Sequence, residues 1–517
     1  MPRLTSFAIC TPSGDLSATF AALLAASGAP GRLSGALQDD LLAVARSALA
    51  GAPADLVLLA STKGDADAHA AALVDGGESS GSPAALARFL AEHLGCPAVV
   101  VGAACASGPL AVMVGARRLL AGAAKRVLVL AGDRGGEFVA AGFASLKAID
   151  PTGCHPYDAA RAGLVLGEAV AAVVLEAGEG EGVYLQGWGA AMDANHLTAP
   201  ARDGAGLATA CRSALRRAGA GAPALVIGHG TGTRYNDDAE TLALQAVCRK
   251  APVTGFKGML GHGLGASGLV DLVLAATCLQ RCETPGTVGL RAQGVAGGVT
   301  VLMPGRHTLE PGVVMTASAG FAGLNASLVL GVDAARNRTR RKAHCTARVE
   351  LDAEGWRRTI ASDAHGRWQQ RDGDQPRLAA VEVLGRVDPT WGRLDLSCRA
   401  LMALATRLGV PLPPETGVVL WSETGCAASD RIFEVSRRAG EADPQRFPYT
   451  LPTAPVGELS IRMKLHGPGL HLANCDEAFA RAVAADLVGD NAPAVLLARV
   501  EVDVQPVAAW AELLVTG

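Results

Sequence analysis

A dominant charge of one sign is missing from this chain. The formal net charge is only −3 over 517 residues, a balance that gives no footing for a nucleic-acid-binding protein. Long apolar runs are missing too. No uncharged apolar run of ~18 residues stands out as a membrane span, and Met1-Pro-Arg-Leu-Thr-Ser-Phe7 lacks the apolar core of a signal peptide. Twelve cysteines are present, yet none forms a CxxC pair or stands at zinc spacing from a histidine. That pattern predicts free thiols in a reducing, cytoplasmic compartment and no metal. What the chain does have is a hydrophobic half, 50% of its residues, with abundant Gly and Ala. This composition suits a compact α/β protein with room for more than one domain.

One thiol stands out by its setting. Pro97–Gly102 is a short apolar run of the kind a buried parallel strand has, and Gly108–Ala121 reads as an Ala-rich helix. Cys105 falls at the turn between them, among the small residues Ala104, Ala106, Ser107 and Gly108. A lone Cys in an apolar run is usually inert core. Here the small neighbours leave space at the sulfur, and a helix N-terminus is expected to lower the thiol pKa and to hold a developing oxyanion.

Two histidines share that kind of setting. Ala224-Leu-Val-Ile-Gly-His229 reads as a strand ending at a His, followed by Thr231, Thr233 and the polar residues Asn236, Asp237, Asp238 and Glu240. His262 follows Lys257 by five residues in Gly261-His-Gly-Leu-Gly-Ala-Ser-Gly268, whose glycines let backbone approach a ligand. Either His alone is as readily a hydrogen-bonded structural residue. A strand-end Cys, a strand-end His and a Gly-flanked His together point to covalent acyl chemistry.

Strands are predicted at Asp55–Ala60, Pro97–Gly102, Arg126–Ala131, Ala169–Glu176, Ala224–Ile227, Pro252–Thr254, Val299–Met303, Val313–Ala317 and Ala326–Gly331. Their alternation with helical stretches predicts α/β layers around buried sheets.

Over residues 1–333 these motifs resemble, in order, the elongating β-ketoacyl-acyl carrier protein synthases of the thiolase-like superfamily. Ala104-Cys-Ala-Ser-Gly108 is similar to the nucleophile motif, and Pro156-Tyr-Asp-Ala-Ala-Arg-Ala-Gly163 with Gly167-Glu168 to the segment after it. Asp193-Ala-Asn-His-Leu-Thr-Ala-Pro200 and Asp203-Gly204 resemble the opening of the second half. His229-Gly-Thr-Gly-Thr233, Asn236-Asp237, Glu240, Lys257, Gly261-His262 and the glycine-rich gating loop Gly320-Phe-Ala-Gly-Leu-Asn325 complete the series. The fold implied is a thiolase-like αβαβα layered α/β fold of two βαβ halves, the first ending near Glu176. The family's Glu nine residues after the second His is replaced by Asp271, assigned here to support of the Lys257 region. The stretch from Ser61 to Pro97 is shorter than the family's, which bears on the usual dimer-forming region.

The resemblance also implies a mechanism. Cys105 attacks the acyl thioester of a carrier-bound chain, and the oxyanion is held by the backbone N–H groups of Cys105 and Phe321. Malonyl on a second carrier then loses CO2 while His229 and His262 each donate from Nε2 to the enolate oxygen, with Lys257 holding His262 and the charge balance. Thr231, Thr233, Gly320 and Asn325 are assigned to substrate binding, and Met113 and Phe143 to the wall of the acyl tunnel. A Cys-His-His set, rather than Cys-His-Asn, is that of the chain-elongating type. The partners implied are acyl carrier protein and acyl and malonyl thioesters. No cofactor is implied beyond the carrier's phosphopantetheine.

Residues 334–346 read as a basic linker, with five cationic residues between Arg336 and Lys342. The run suits an acidic carrier protein, or simply a solvated linker. Beyond it, residues 347–517 resemble the N-terminal half of a second ketosynthase: Arg386–Ser397, a helix over Cys398–Leu408, a strand over Thr416–Ser422, then Phe447–Gly457. Ala473-Asn-Cys475-Asp-Glu falls at the nucleophile position, but Asp476 and Glu477 replace small residues and raise a thiol pKa, so Cys475 is expected to be inert. A truncated half of this kind resembles a chain-length factor. It either folds back as an intrachain pseudo-dimer mate or hangs outside a homodimer formed by the N-terminal domains. Two other readings stay open: an acyltransferase forming an ester or amide, and a non-catalytic carrier-protein scaffold.

Overall fold

A computed structural model describes residues 1–77, 79–333, 343–352, 355–360, 366–368, 378–489, 492–502 and 508–516. The first unit contains β1 (Pro2–Cys10), α1 (Leu16–Leu24), α2 (Leu37–Leu49), β2 (Leu56–Ala60), α3 (Ala66–Asp75) and α4 (Pro83–Leu94). It continues through β3 (Ala98–Gly102), α5 (Ser107–Leu120), β4 (Arg126–Gly132), α6 (Gly136–Ser145) and β5 (Val170–Ala177). Its strands lie in the order β1-β5-β4-β2-β3, with β4, β2 and β3 parallel.

The second unit contains β6 (Val183–Met192), α7 (Ala205–Ala218), β7 (Leu225–Ile227), α8 (Arg234–Cys248), β8 (Val253–Thr254), α9 (Lys257–Leu260) and α10 (Ser267–Arg281). A small hairpin of β9 (Glu283–Pro285) and β10 (Arg306–Thr308) precedes β11 (Val314–Gly320) and β12 (Leu324–Gly331). The sheet order is β6-β12-β11-β7-β8.

Side-chain alternation explains the layering. Leu56, Leu58, Val99 and Val101 face one core, while Val57, Leu59, Ala98 and Val100 face the opposite one with α2 and α4. Likewise Leu225 and Ile227 face the central core and Val226 the outer one, against α7 and α8. Sheets buried on both faces need apolar residues at every position, which is what these strands have. Between the sheets lie α5 and α10, buried on all sides from Ser107 to Leu119 and from Ser267 to Leu279. Their Ala and Gly content allows that close approach: a Cβ on Gly108 would lie 2.5 Å from the Leu269 backbone nitrogen. The result is the five-layered thiolase-like arrangement.

Residues from Ala343 onward repeat the first unit. They form β13 (Ala343–Asp352), β14 (Gly355–Ile360), β15 (Gly366–Trp368), α11 (Ala380–Leu384), α12 (Leu396–Arg407), β16 (Gly417–Trp421) and α13 (Ala427–Arg438). Next come α14 (Ala454–Met463), β17 (Gly469–Ala473), α15 (Glu477–Leu487), β18 (Ala494–Glu501) and β19 (Ala508–Thr516). Their sheet order, β13-β19-β18-β16-β17, mirrors that of the first unit. The turn after β2 and the turn after β16 match in detail. Gly64 N donates to Ser61 Oγ at 3.0 Å and Gly425 N to Ser422 Oγ at 2.8 Å, with φ of 64° and 57° at the two glycines.

The two repeats join edge to edge. β17 pairs antiparallel with β3 through His471↔Gly102, Leu472↔Val101 and Ala473↔Val100. An unpaired edge strand is a template for another chain, and here the same chain supplies the partner. The intrachain pseudo-dimer is therefore the arrangement adopted, and a homodimer through this edge, with the C-terminal half as an outer appendage, is corrected. The shortened Ser61–Pro97 stretch still forms α3 and α4, and α3 packs on α13.

Other expectations need amendment. Val299–Met303 is not a strand. Val301 makes only an isolated bridge to Val253, and the Gln293 side chain takes up the Val299 carbonyl and the Val301 N–H. The linker expected over 334–346 overlaps β13 from Ala343, and the basic run Arg336–Lys342 lies outside the described residues. Strands β1, β6, β9, β10, β13, β14, β15, β17, β18 and β19 have no counterpart among the predicted strands. Among the described residues no helix is long and apolar enough to cross a membrane.

Candidate active site

Cys105 sits where β3 hands over to α5. Ala104 takes a left-handed φ of 48°, which turns the chain sharply and aims the thiol out of the sheet layer. The N-cap of α5, Ala106, makes no side-chain cap, and the first turn holds no acid. Gly320 lies against this turn, since a Cβ there would come 3.1 Å from the Cys105 nitrogen. The 320–323 loop thereby sets Phe321 beside the thiol, and the backbone N–H groups of Phe321 and Cys105 both act to lower its pKa. These are the two donors expected to form the oxyanion hole.

The thiol pKa does not follow the helix-terminus expectation. Burial pushes Cys105 up to about 11, against the lowering influence of Lys257 and of the two N–H groups. Removing water from the thiolate outweighs the dipole and the nearby cation. Cys105 therefore rests as a thiol and loses its proton only as it reacts.

His229 and His262 complete the cluster. Their rings are 5.4 Å apart and nearly perpendicular, at 89°, and the ligating atoms of Cys105, His229 and His262 all lie within 4.8 Å of one another. His262 accepts the Leu264 N–H on Nδ1 at 3.0 Å. In a neutral ring that places the proton on Nε2. Burial and Lys257 push His262 down to about 3, and burial with Lys257 and His262 holds His229 well below the ordinary imidazole range. Both rings are thus neutral. A Cys-His-His cluster is also a donor set for a soft metal, but His262 presents an N–H here rather than a lone pair. That N–H can donate to an anionic oxygen. Among the described residues Nδ1 of His229 has no hydrogen-bond partner.

The backbone around His229 is held from α8. Glu240 accepts the His229 N–H at 2.5 Å, the Gly230 N–H at 2.8 Å and the Tyr157 hydroxyl at 3.0 Å, and burial raises its carboxyl to about 7. Asp237 accepts from Tyr157 N at 2.9 Å and from Thr231 N at 3.0 Å. Lys257 is buried on α9 and its Nζ meets Asp271 Oδ2 of α10 at 3.3 Å. The shorter carboxylate still reaches the lysine.

A cavity of about 400 Å³ opens onto the cluster and is lined by Cys105, His229, His262, Thr231, Thr233, Gly320, Phe321, Asn325 and Phe143. Every residue expected at the site therefore faces this cavity or, for Lys257 and Asp271, stands behind it. Met113 does not: it lies in the central core, 3% exposed. Asn325 is oriented by donating to Asp193 Oδ1 at 2.9 Å. The cavity's mouth carries Arg234 and the exposed Tyr235, over whose ring the Arg202 guanidinium sits at 5.7 Å. Phe143 continues inward through Phe447 and Phe433 of the C-terminal half, at centroid distances of 5.4 Å each.

Sequence reasoning missed Asp133. It directly follows β4 and, buried, accepts from Ser61 Oγ and from the backbone N–H groups of Thr62, Lys63, Gly64 and Gly265. The available signal was a carboxylate closing an apolar strand. Cys475 stands at the matching turn of the second repeat, with Asn474 at φ 54° where Ala104 has 48°. No histidine pair faces it among the described residues, and burial with Glu423 and Asp476 pushes its thiol up to about 12. Asp476 is there the N-cap of α15, accepting from Phe479 N at 2.7 Å.

Comparison with known proteins agrees with this geometry. Residues 18–180 match the beta-ketoacyl synthase N-terminal domain and residues 183–291 its C-terminal domain. The chain is 34% identical over 213 residues to 3-oxoacyl-[acyl-carrier-protein] synthase 2 of Rhizobium meliloti, covering 37% of this chain and 50% of that protein. It is 30% identical to the putative polyketide beta-ketoacyl synthase 1 of Streptomyces cyaneus, over 50% of this chain and 66% of that one. The chain thus spans about half to two thirds of the length of these curated relatives. In fold it is similar to the structure titled PfaC Keto synthase-Chain length factor, with a TM-score of 0.77 at 15% identity, covering 100% of this chain and 78% of that one. The ishigamide ketosynthase/chain length factor aligns at TM-score 0.59 and 24% identity, over 64% of this chain and 99% of that one.

Proposed function

Because residues 18–180 and 183–291 make this chain a member of the β-ketoacyl synthase family, we propose that it catalyses decarboxylative condensation of a malonyl thioester with an acyl chain held on Cys105. The observation that carries the reading is the convergence of one thiol, two backbone N–H donors and two neutral imidazoles on a single cavity. In the first step the Cys105 sulfur bonds to the acyl carbonyl carbon while its proton passes to the departing pantetheine sulfur. The Cys105 and Phe321 N–H groups hold the oxyanion in between. In the second step malonyl thioester loses CO2, and the enolate oxygen accepts from Nε2 of His262 and of His229. The enolate carbon then attacks the acyl-Cys105 carbonyl, releasing a β-ketoacyl thioester and the Cys105 thiolate, which takes a proton from solvent to return to the thiol. Neutral histidines suit this step, since a protonated ring would hand its proton to the enolate and quench it.

The substrates are acyl and malonyl groups on the phosphopantetheine of an acyl carrier protein, in fatty acid or polyketide synthesis. Thr231 and Thr233, whose hydroxyls are 2.9 Å apart, line the route from Tyr235 at the mouth and serve as donors for the pantetheine amides. The roles of Lys257 and Asp271 are charge compensation and support of the His262 loop. The C-terminal half acts as a chain-length-factor-like mate within the same chain.

Incubation with an acyl-carrier substrate and then malonyl-carrier, followed by intact mass, tests the reading. An acyl adduct lost in Cys105→Ala and a product two carbons longer support it. An adduct without elongation turns the assignment to ester- or amide-forming acyl transfer, and no adduct leaves a carrier-protein scaffold.

A further inference from the structure

The loops that carry Cys105 and His262 both hang on a third loop, and that loop meets the C-terminal half. Ser61–Gly64 follows β2 and is wrapped around the Asp133 carboxylate. Oδ1 accepts from Ser61 Oγ at 2.7 Å, Thr62 N at 3.0 Å, Lys63 N at 2.8 Å and Gly64 N at 2.8 Å. The other oxygen of Asp133 accepts the N–H of Gly265, three residues after His262, at 2.8 Å. Thr62 Oγ1 donates to the carbonyl of Ala104, the residue before the nucleophile, at 3.0 Å. There is no slack in this arrangement. A Cβ on Gly265 would lie 2.7 Å from Asp133 Oδ2 and 2.8 Å from Thr62 Oγ1.

Lys63 is the member of that loop whose side chain leaves the first unit. It runs past the Phe138 ring, 5.0 Å from its centroid, and enters the second repeat. There Nζ donates to Asp430 Oδ1 at 2.5 Å and to the Thr450 carbonyl at 2.6 Å. Lys63 and Asp430 are 5% and 2% exposed. Asp430 Oδ2 also lies 3.5 Å from His69 Nε2 on α3. A buried ammonium and carboxylate hold their geometry tightly, because neither finds water if they part.

We propose that Lys63 is a positioning residue: locked to Asp430 and the Thr450 carbonyl, it lets the C-terminal half hold the Ser61–Gly64 loop, and through Thr62 and Asp133 the Cys105 and His262 loops, closed around a dry thiol. The inference deepens the condensation reading and rests on it for its effect on turnover. The C-terminal half then has a second task besides closing the edge of β3.

The experiment measures two quantities on the full chain at pH 8: condensation turnover, and the rate of iodoacetamide alkylation at Cys105, read by peptide mass. Lys63→Met is compared with Lys63→Arg and with Arg118→Met. The last removes another buried pair across the same junction, Arg118 Nη2 to Asp486 Oδ2 at 2.6 Å, that touches none of the three loops. With Lys63→Met, water reaches the thiol and the loops lose register. Alkylation is expected to rise by about tenfold while kcat falls by at least about tenfold with KM little changed. Lys63→Arg recovers part of both, and Arg118→Met lowers the melting temperature without moving either.

A folded Lys63→Met protein with wild-type alkylation and turnover overturns the proposal, and so does an Arg118→Met protein that changes both quantities in the same way. If Lys63→Met does not fold, Asp430→Asn weakens the same pair at constant volume and is held to the same two results. Alkylation reads the thiol whether or not the wild type condenses, so a chain without condensing activity sinks the proposed reaction and still leaves this inference decided.

Discussion

Leu264 donates its backbone N–H to Nδ1 of His262 at 3.0 Å, and this one bond sets what the ring presents to the cavity. With Nδ1 occupied as an acceptor, Nε2 carries the proton. His262→Ala is expected to reduce malonyl decarboxylation by about 10²–10³ and to leave acylation of Cys105 within a few-fold of wild type. Separate assays of CO2 release and acyl adduct check this. Since the His262 pKa lies at about 3, the acid limb of decarboxylation should not appear near pH 6.5. Activity that halves at that pH would contradict a neutral buried ring.

Alkylation of Cys105 should climb with pH well beyond the range of an ordinary thiol. The reactive species is the thiolate, whose fraction rises with pH until the pKa is passed. With a pKa of about 11, the rate is expected to increase close to tenfold per unit from pH 7 to 10, with no plateau below pH 10. A plateau at pH 8 would mean that water reaches the sulfur.

Gly457 in α14 belongs to the C-terminal half, and a Cβ there would lie 2.6 Å from the Ala322 Cβ and 2.9 Å from its Cα. Ala322 has φ 64° and follows Phe321, so the gating loop must move to admit a methyl. Gly457→Ala is expected to cost about 1–3 kcal/mol in urea unfolding and to slow acylation by about tenfold or more. Wild-type acylation by this variant would show that the loop position tolerates the shift.

Asp271→Ala removes the only carboxylate within ion-pair distance of Lys257 among the described residues. An uncompensated buried ammonium is expected to destabilise the chain by about 3–5 kcal/mol. Asp271→Glu, which keeps the charge, should recover most of that. Denaturant midpoints of the two variants decide it.

Much of the site was legible because its signals are local. The apolar runs leading to Cys105 and to Gly228-His229 occur as β3 and β7, which stop three residues before Cys105 and two before His229. Their strand assignment rests on continuous apolar residues, which is how a sheet covered on both faces reads. Strands β1 and β6 were not seen since Thr5, Ser6, Gln186 and the glycines of Gly187-Trp-Gly189 interrupt the apolar run. Only cross-strand partners such as Phe7↔Val173 and Trp188↔Leu328 make them strands.

By itself the sequence determined the chemistry available: one thiol at a strand-to-helix turn, two histidines in glycine-rich loops, and a second copy of the first half whose Cys475 is flanked by carboxylates. Those features depend on residue type and spacing within a few positions. Tertiary structure alone decided that β17 closes the edge of β3, that Lys63 reaches Asp430 across more than three hundred residues, and that the Cys105 pKa goes up rather than down. Edge pairing, ion pairing and desolvation all depend on which distant segments exclude water from a group, and no local pattern carries that information.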